Sequence, residues 1–183
     1  MPLILTLICG LFILFIPLSA RATNDLLVTA YDQTNKGTAA GTSFSGNVIQ
    51  TQNLVTIDFS NIDPAGRANS YSFVIEGFIY APTDGVYNFE TYSDDGVRLI
   101  VDGTLIIDNW TDHGSTIDTG NLNLLTGWKA IRIEHYEQGG GERLRFRWKK
   151  PGDASFSFPQ TADLSTVPVA DPTNGNTTLA ATP

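Results

Sequence analysis

Two adjacent aspartates, Asp94 and Asp95, stand in a turn closed by Gly96, between two apolar runs of the chain. Carboxylates side by side repel each other, so the pair needs either bulk water or a cation. Ca²⁺ is the cation that suits hard oxygen ligands on a loop. Successive side chains of an extended trans segment point to opposite faces, so a cis peptide would bring both carboxylates to one side. An ordinary Asp-Gly hairpin turn with a solvated extra aspartate is the alternative interpretation.

The elements that position this pair are short strands. Asp-Gly dipeptides at 84–85, 95–96 and 102–103 separate consecutive segments, and Asp-Gly favours tight hairpin turns. No window shows a helical period longer than about two turns. The sequence therefore predicts an all-β sandwich or barrel of antiparallel strands. The predicted strands are rich in β-branched and aromatic residues and span 28–31, 48–50, 54–59, 71–80, 85–92, 97–101, 104–107, 127–136 and 142–149.

Alternation shows which strand faces are buried. Basic and apolar residues alternate along 143–149, and charged and apolar residues alternate along 131–135. We expect these two strands to pair across the turn at 137–141, with Arg132, Arg143, Arg145 and Arg147 on their outer faces. We favour the interpretation that these arginines form a solvated face and balance the charge of nearby carboxylates, rather than a binding site for a polyanion. Trp128 and Trp148 are expected in the core.

The composition restricts the partners and the redox chemistry. A formal net charge of −8 argues against nucleic acid or an anionic membrane surface as a partner. The hydrophobic content of 42% is sufficient for a packed core. Cys9 is the single cysteine, so no intrachain disulfide can form.

The two ends of the chain differ from its middle. An apolar run at 3–18, followed by alanines at 20 and 22, is typical of a secretory signal, which we assign to residues 1–22. Cleavage would leave Thr23 as the N-terminus of a secreted protein without a membrane anchor. The alternative is that the apolar run stays uncleaved and anchors the protein in a membrane. We assign residues 23–165 to one β domain. Residues 166–183, rich in Pro, Thr, Ala and Asn, are expected to be a flexible tail or linker.

Residues 73–114 and 127–152 resemble the PA-fourteen (PA14) domain, a lectin-like module named after a toxin protective antigen. The resemblance covers roughly residues 24–152, with a weaker continuation to about 164. It implies an antiparallel β-sandwich with barrel character. In the sugar-binding members, two aspartates joined by a cis peptide ligate Ca²⁺, which in turn binds two vicinal hydroxyls of a glycan; these aspartates correspond to Asp94 and Asp95. Toxin-type members do not bind sugar in this way, so the fold alone does not establish the function.

The resemblance also implies a second loop at the metal site. In bacterial adhesin members a side-chain amide and backbone carbonyls complete the calcium site, which points here to Gln138 and to the carbonyls of Gly139 and Gly140. Consecutive glycines permit positive φ and close backbone approach, as a carbonyl-ligated ion requires. A mobile hairpin loop is the alternative interpretation.

A third candidate is the segment that contains Trp110, Asp112 and His113. These residues could form a rim that contacts sugar, with the indole face stacked on a pyranose. The interpretation that we favour has Trp110 in the core and His113 hydrogen-bonded within its loop. His113 and His135 are the only histidines and have no cysteine partners, so a zinc site is not expected.

No catalytic motif stands out, and we predict that the chain is not an enzyme. The leading hypothesis is a secreted, calcium-dependent carbohydrate-binding domain of the adhesin type. The alternative is a structural subunit of an extracellular filament, pilus or matrix, whose edge strands, or segments 23–31 and 155–159, would add to a neighbour's sheet. A third reading is the targeting module of a glycosidase.

Overall fold

The computed structural model describes residues 24–60 and 66–167, which form eleven strands and one 3₁₀ turn. The predicted signal at 1–22 and most of the predicted tail lie outside these residues. No helix in the described part of the chain is long and apolar enough to cross a membrane. The elements are β1 Leu26–Tyr31, β2 Val48–Leu54, β3 Asp58–Ser60, β4 Tyr71–Ala81, β5 Gly85–Asp94, β6 Val97–Val101, β7 Thr104–Asn109, β8 Thr116–Leu124, β9 Gly127–Glu137, β10 Arg143–Lys149, the turn Thr161–Asp163 and β11 Leu164–Ser165.

The strands make two antiparallel sheets packed face to face. The first has the order β2-β1-β4-β9-β6-β7, with β11 also beside β4, and the second has the order β3-β10-β5-β8. Inward side chains of both sheets belong to one hydrophobic core. The predicted all-β antiparallel sandwich is confirmed, and the described strands leave two open sheets rather than a closed barrel.

Strand β10 shows how alternation creates the core. Leu144, Phe146 and Trp148 are fully or almost fully buried, while the arginines between them point outward. Burying each such side chain contributes roughly 1.5–3 kcal/mol. The predicted core position of Trp148 is confirmed. That of Trp128 is wrong, because its ring is only half-buried, with its centroid 5.2 Å from that of Tyr80.

The predicted pairing of the strands at 127–136 and 142–149 is wrong. Strand β9 lies between β4 and β6 in the first sheet, and β10 lies between β3 and β5 in the second. The apolar faces of β9 and β10 line the same core. Two strand faces can pack against each other across a core only when the strands lie in opposite sheets. The loop between β9 and β10 therefore crosses the sandwich instead of closing a hairpin.

Two further strand predictions are corrected. The segment predicted as one strand at 54–59 is divided, since β2 ends at Leu54 in the first sheet and β3 begins at Asp58 in the second. Strand β8 was not predicted, because its sequence, TIDTGNLNL, is mostly polar and its exposed residues alternate with half-buried ones along the sheet edge. Strand β1, in the first of the two segments expected to add to a neighbour's sheet, pairs on both sides and has no free edge. In the second, 155–159, Ser157 bridges Trp148 on one side.

Of the three Asp-Gly dipeptides, only Asp102-Gly103 makes a hairpin. Both residues have positive φ, 50° and 76°, as a tight turn between β6 and β7 requires. The dipeptides at 84–85 and 95–96 instead carry the chain from one sheet to the other.

Carboxylates balance the outward arginines, as predicted. Arg147 and Arg145 contact Glu90 at 2.6 and 3.5 Å, and Arg143 contacts Asp58 at 3.2 Å. Arg132 projects from the other sheet, where it pairs with glutamates at 76 and 134.

Candidate metal centre

The two aspartates stand where the chain passes from one sheet to the other. Asp94 ends β5, Gly96 precedes β6, and the peptide between Asp94 and Asp95 is cis. One carboxylate oxygen of each aspartate and one of Glu137, the last residue of β9, lie within 4.8 Å of one another. A Cβ on Gly96 would lie 2.2 Å from Cε1 of Tyr136, so only glycine lets this turn lie against β9.

Asp95 is held by the main chain of two loops. It is 5% exposed, its Oδ1 accepts from the backbone N–H of His113 and its Oδ2 accepts from that of Gln138, both at 2.9 Å. Hydrogen bonds to a charged carboxylate are stronger than those between neutral groups. Each oxygen keeps a lone pair for another partner. The side chain is thus fixed in orientation and still able to bind a cation.

Asp94 is less buried and is fixed by side chains. Its Oδ2 accepts from Ser115 Oγ at 3.1 Å, and its backbone oxygen lies 3.2 Å from Nε2 of His135. Burial lowers the pKa of His135 to about 4, so the ring is neutral at neutral pH. Because a carbonyl can only accept, this contact is a hydrogen bond in the tautomer that carries its proton on Nε2.

Glu137 is the unusual member of the cluster. It is fully buried, and neither carboxylate oxygen makes a hydrogen bond of normal geometry, although the backbone N–H of Gly139 lies close enough to lower its pKa slightly. Burial, and then the charges of Asp95 and Asp94, raise its pKa to about 7. A buried polar group without such a hydrogen bond requires an explanation. Three carboxylates, one of them without such a bond, are a donor set that fits a hard divalent cation.

Trp110 supports the loop next to this cluster. Its Nε1 donates to the Lys36 carbonyl at 3.0 Å, and its ring meets that of Tyr136 edge-on at 4.7 Å. The Arg98 guanidinium lies 4.3 Å from the indole centroid. The indole is half-buried and outside the core, so the favoured placement of Trp110 in the core is wrong.

Asp112 and His113 are also engaged within the protein. Asp112 accepts from Tyr136 Oη at 2.8 Å and from Lys36 Nζ at 2.6 Å, and these two hydrogen bonds, the one from Lys36 first, lower its pKa. The His113 ring lies 2.9 Å from the carbonyl of Gly114 through Nδ1, which agrees with the favoured interpretation. The segment at 110–115, which we call the rim loop, is therefore fastened to β9 and to Lys36.

The predicted glycine loop passes over the carboxylates. Gln138, Gly139 and Gly140 are exposed, and the structure places the main-chain N–H of Gln138 on Asp95. Gly140 has φ 116°, a conformation that favours glycine, and its N–H donates to Asn69 Oδ1 at 3.2 Å. Their predicted roles as calcium ligands stay predictions.

Sequence reasoning missed Glu137 as a member of the site, together with Ser115 and Tyr136. A signal for Glu137 exists, because it continues the inward positions of β9 after Ile131, Ile133 and His135. A carboxylate on an inward position at a strand end needs a partner. For Ser115, no comparable pattern is present.

A sequence model of the family described as PA14 domain matches residues 27–162. An α-agarase of Alteromonas agarilytica is 39% identical over 115 residues, which are 61% of this chain and 8% of the agarase. The PA14 sugar-binding domain of an RTX adhesin has a TM-score of 0.63 at 19% identity, over 79% of this chain and 99% of that domain. The epithelial adhesin 9 A domain of Candida glabrata, solved with Galβ1-3GlcNAc, has a TM-score of 0.62 at 10% identity, over 79% and 90%. At these identities the two structures establish the fold alone.

Proposed function

Because this chain belongs to the PA14 domain family, we propose that it is a secreted, calcium-dependent carbohydrate-binding domain of the adhesin type. The observation that carries the proposal is the group of Asp94, Asp95 and Glu137, three carboxylates of which Glu137 is fully buried and makes no hydrogen bond of normal geometry. The sugar-binding RTX adhesin domain and the glycan-bound Candida glabrata domain share this fold and support the choice of ligand.

In this proposal Asp94, Asp95 and Glu137 hold Ca²⁺, and the loop of Gln138 and Gly140 adds oxygens. Bound calcium supplies open coordination positions for two vicinal hydroxyls of a glycan. The exposed Gln138 and the rim loop then contact the rest of the sugar. Such a site is shallow, so a single domain binds weakly and several copies are needed for useful avidity.

A second role is favoured by the agarase. That relative is an enzyme of which this chain matches 8%, so the shared part is a small segment of it. We propose that the present domain is itself non-catalytic. In this second role the domain attaches an enzyme to its polysaccharide, and in the first role it attaches the protein to a cell surface. Both roles need the same carbohydrate site and differ in the sugar.

The test of the calcium site is a thermal melt in excess EDTA and again in millimolar Ca²⁺. If calcium binds at about 10 μM, a hundredfold excess stabilises the fold by about 2.7 kcal/mol. For a domain of this size the melting temperature then rises by several degrees. An unchanged melting temperature would contradict the proposal.

The sugar is identified by a glycan array in Ca²⁺ and in EDTA, with agarose and other galactans beside cell-surface glycans. We expect calcium-dependent signals only. Binding to agarose alone favours the enzyme-associated role, and binding to cell-surface glycans favours adhesion. Signals that persist in EDTA would refute the proposed mechanism.

Tyr136→Phe tests whether the rim loop helps the site. The change removes the hydrogen bond to Asp112 and lowers the free energy of unfolding by about 1 kcal/mol. Because the rim loop also donates to Asp95, we expect calcium affinity to fall severalfold, as measured by isothermal titration.

Tyr87→Phe is the matched control. Tyr87 is buried at the other end of the sandwich, and its hydroxyl donates to the Thr83 carbonyl at 2.9 Å. A similar loss of stability is expected, with calcium affinity unchanged. Equal calcium affinity in both variants would show that the rim loop has no part in the site.

A further inference from the structure

Strand β2 is an unprotected edge of the first sheet. It pairs with β1 on one side, and among residues 24–60 and 66–167 no strand pairs with its other side. Most of its residues are exposed on both faces, including Val48 at 56% and Ile49 at 39%. An outer strand of this kind presents unpaired N–H and C=O groups to solvent.

The usual protection of an edge strand is nearly absent from β2. From Gly37 to Ile57 the chain has no charged residue and no proline. The outer strands β3, β7 and β8 differ, since they carry Asp58, Asp108 and Asp118. A register shift opposite Ala30–Tyr31 affects only the start of β2 and leaves Gln50 to Leu54 in regular pairing.

We propose that β2 is a self-association edge, on which β2 of a second copy of this chain pairs antiparallel about a two-fold axis. Charge favours this partner: the chain has a net charge of −8, and the uncharged stretch 37–57 lets two acidic copies meet without like charges side by side.

The side chains are also self-complementary. Gln50 donates to Gln52 Oε1 at 3.2 Å on one face of the strand, so the amides already form a short ladder. A two-fold at Thr51 places Gln50 of each copy opposite Gln52 of the other, and each amide can donate and accept. The continuous sheet would join two carbohydrate sites in one dimer. This consequence rests on the proposed function, whereas the pairing of the two β2 strands does not.

The experiment is sedimentation equilibrium of the full chain over a wide concentration range, in EDTA and in Ca²⁺. We expect a reversible monomer–dimer equilibrium in both. Two variants, Gln50→Lys/Gln52→Lys and Gln50→Glu/Gln52→Glu, should each raise the dimer dissociation constant by about tenfold or more, because like charges then face each other. An equimolar mixture of the two should recover the dimer, because Lys and Glu then face each other across the two-fold at Thr51.

The control is Thr119→Lys/Asn121→Lys on β8, the outer strand of the other sheet, which should leave the dimer unchanged. The proposal is overturned by a wild-type chain that stays monomeric at every concentration, as it would if a segment outside the described residues covered β2. Dissociation by the β8 variant, or failure of the mixture to recover the dimer, also overturns it. An association that persists in EDTA is independent of the calcium site.

Discussion

The Asp95→Asn variant is expected to lose both the calcium-dependent rise in melting temperature and all calcium-dependent glycan binding. Asparagine keeps the shape of the side chain but removes the charge and one of the two acceptor oxygens. Its amide nitrogen would face a main-chain N–H of His113 or Gln138, where two donors cannot bond. The whole of the calcium contribution, about 2.7 kcal/mol at a hundredfold excess over the dissociation constant, should disappear. Melts in EDTA and in Ca²⁺, followed by the glycan array, measure the loss.

Asp84→Asn is the control for the change in charge. Asp84 lies at the other end of the sandwich, where it accepts from the N–H and hydroxyl of Thr126 at 2.6 and 2.8 Å. This variant should be slightly less stable and should keep the full response to calcium. A normal calcium response in Asp95→Asn would show that the carboxylate pair is only a turn.

Glu137→Gln is expected to change stability in opposite directions in EDTA and in calcium. In EDTA above pH 7, Glu137 is an ionised carboxylate, buried and close to Asp95 and Asp94. A neutral amide avoids the cost of burying a charge and also removes this repulsion, so the variant melts at a higher temperature than the wild type. In calcium it lacks one ligand, and we expect about tenfold weaker binding.

The pH dependence of this difference has a defined sign. The pKa of Glu137 is raised from 4.5 to about 7, so between these values the folded state binds more protons than the unfolded state. The stability that it contributes is present below pH 4.5 and is lost as the pH rises to 7. The advantage of Glu137→Gln over the wild type in EDTA should therefore be absent at pH 4.5, grow as the pH rises and be largest above pH 7. Urea denaturation at a series of pH values measures it.

Glu90→Gln separates this effect from the general result of removing a buried glutamate. Glu90 is also buried, but it accepts from Arg147 at 2.6 Å. Its replacement should lower the melting temperature equally in EDTA and in calcium. If Glu137→Gln behaved in the same way, Glu137 would be an ordinary structural residue and not a calcium ligand.

The sequence predicted the strands better than their partners. Alternation along β10 identifies its buried face, because side chains point to opposite faces with a period of two. The same alternation is present whether two consecutive strands pair in one sheet or face each other across the core. It therefore could not show that β9 and β10 belong to opposite sheets. Strand β8 escaped because an edge strand with few buried residues needs few apolar ones.

The part of the candidate site that was predicted is the part formed by residues adjacent in the chain. Asp94 and Asp95 are adjacent in the chain, and their proximity follows from the turn. Glu137 joins them only because β9 and β6 are neighbours in the first sheet, and the support from Ser115 depends on the pairing of β8 with β5. These contacts connect distant parts of the chain, and no short motif records them.

The way in which Asp95 is held affects how such a domain can diversify. Its two oxygens accept from main-chain N–H groups at positions 113 and 138, which any residue except proline provides. The His113 side chain can therefore be exchanged while the frame of the site is kept, whereas the Gln138 side chain is also a proposed calcium ligand. Randomising position 113 in a display library, with Gln138 retained, is a direct route to new sugar preferences.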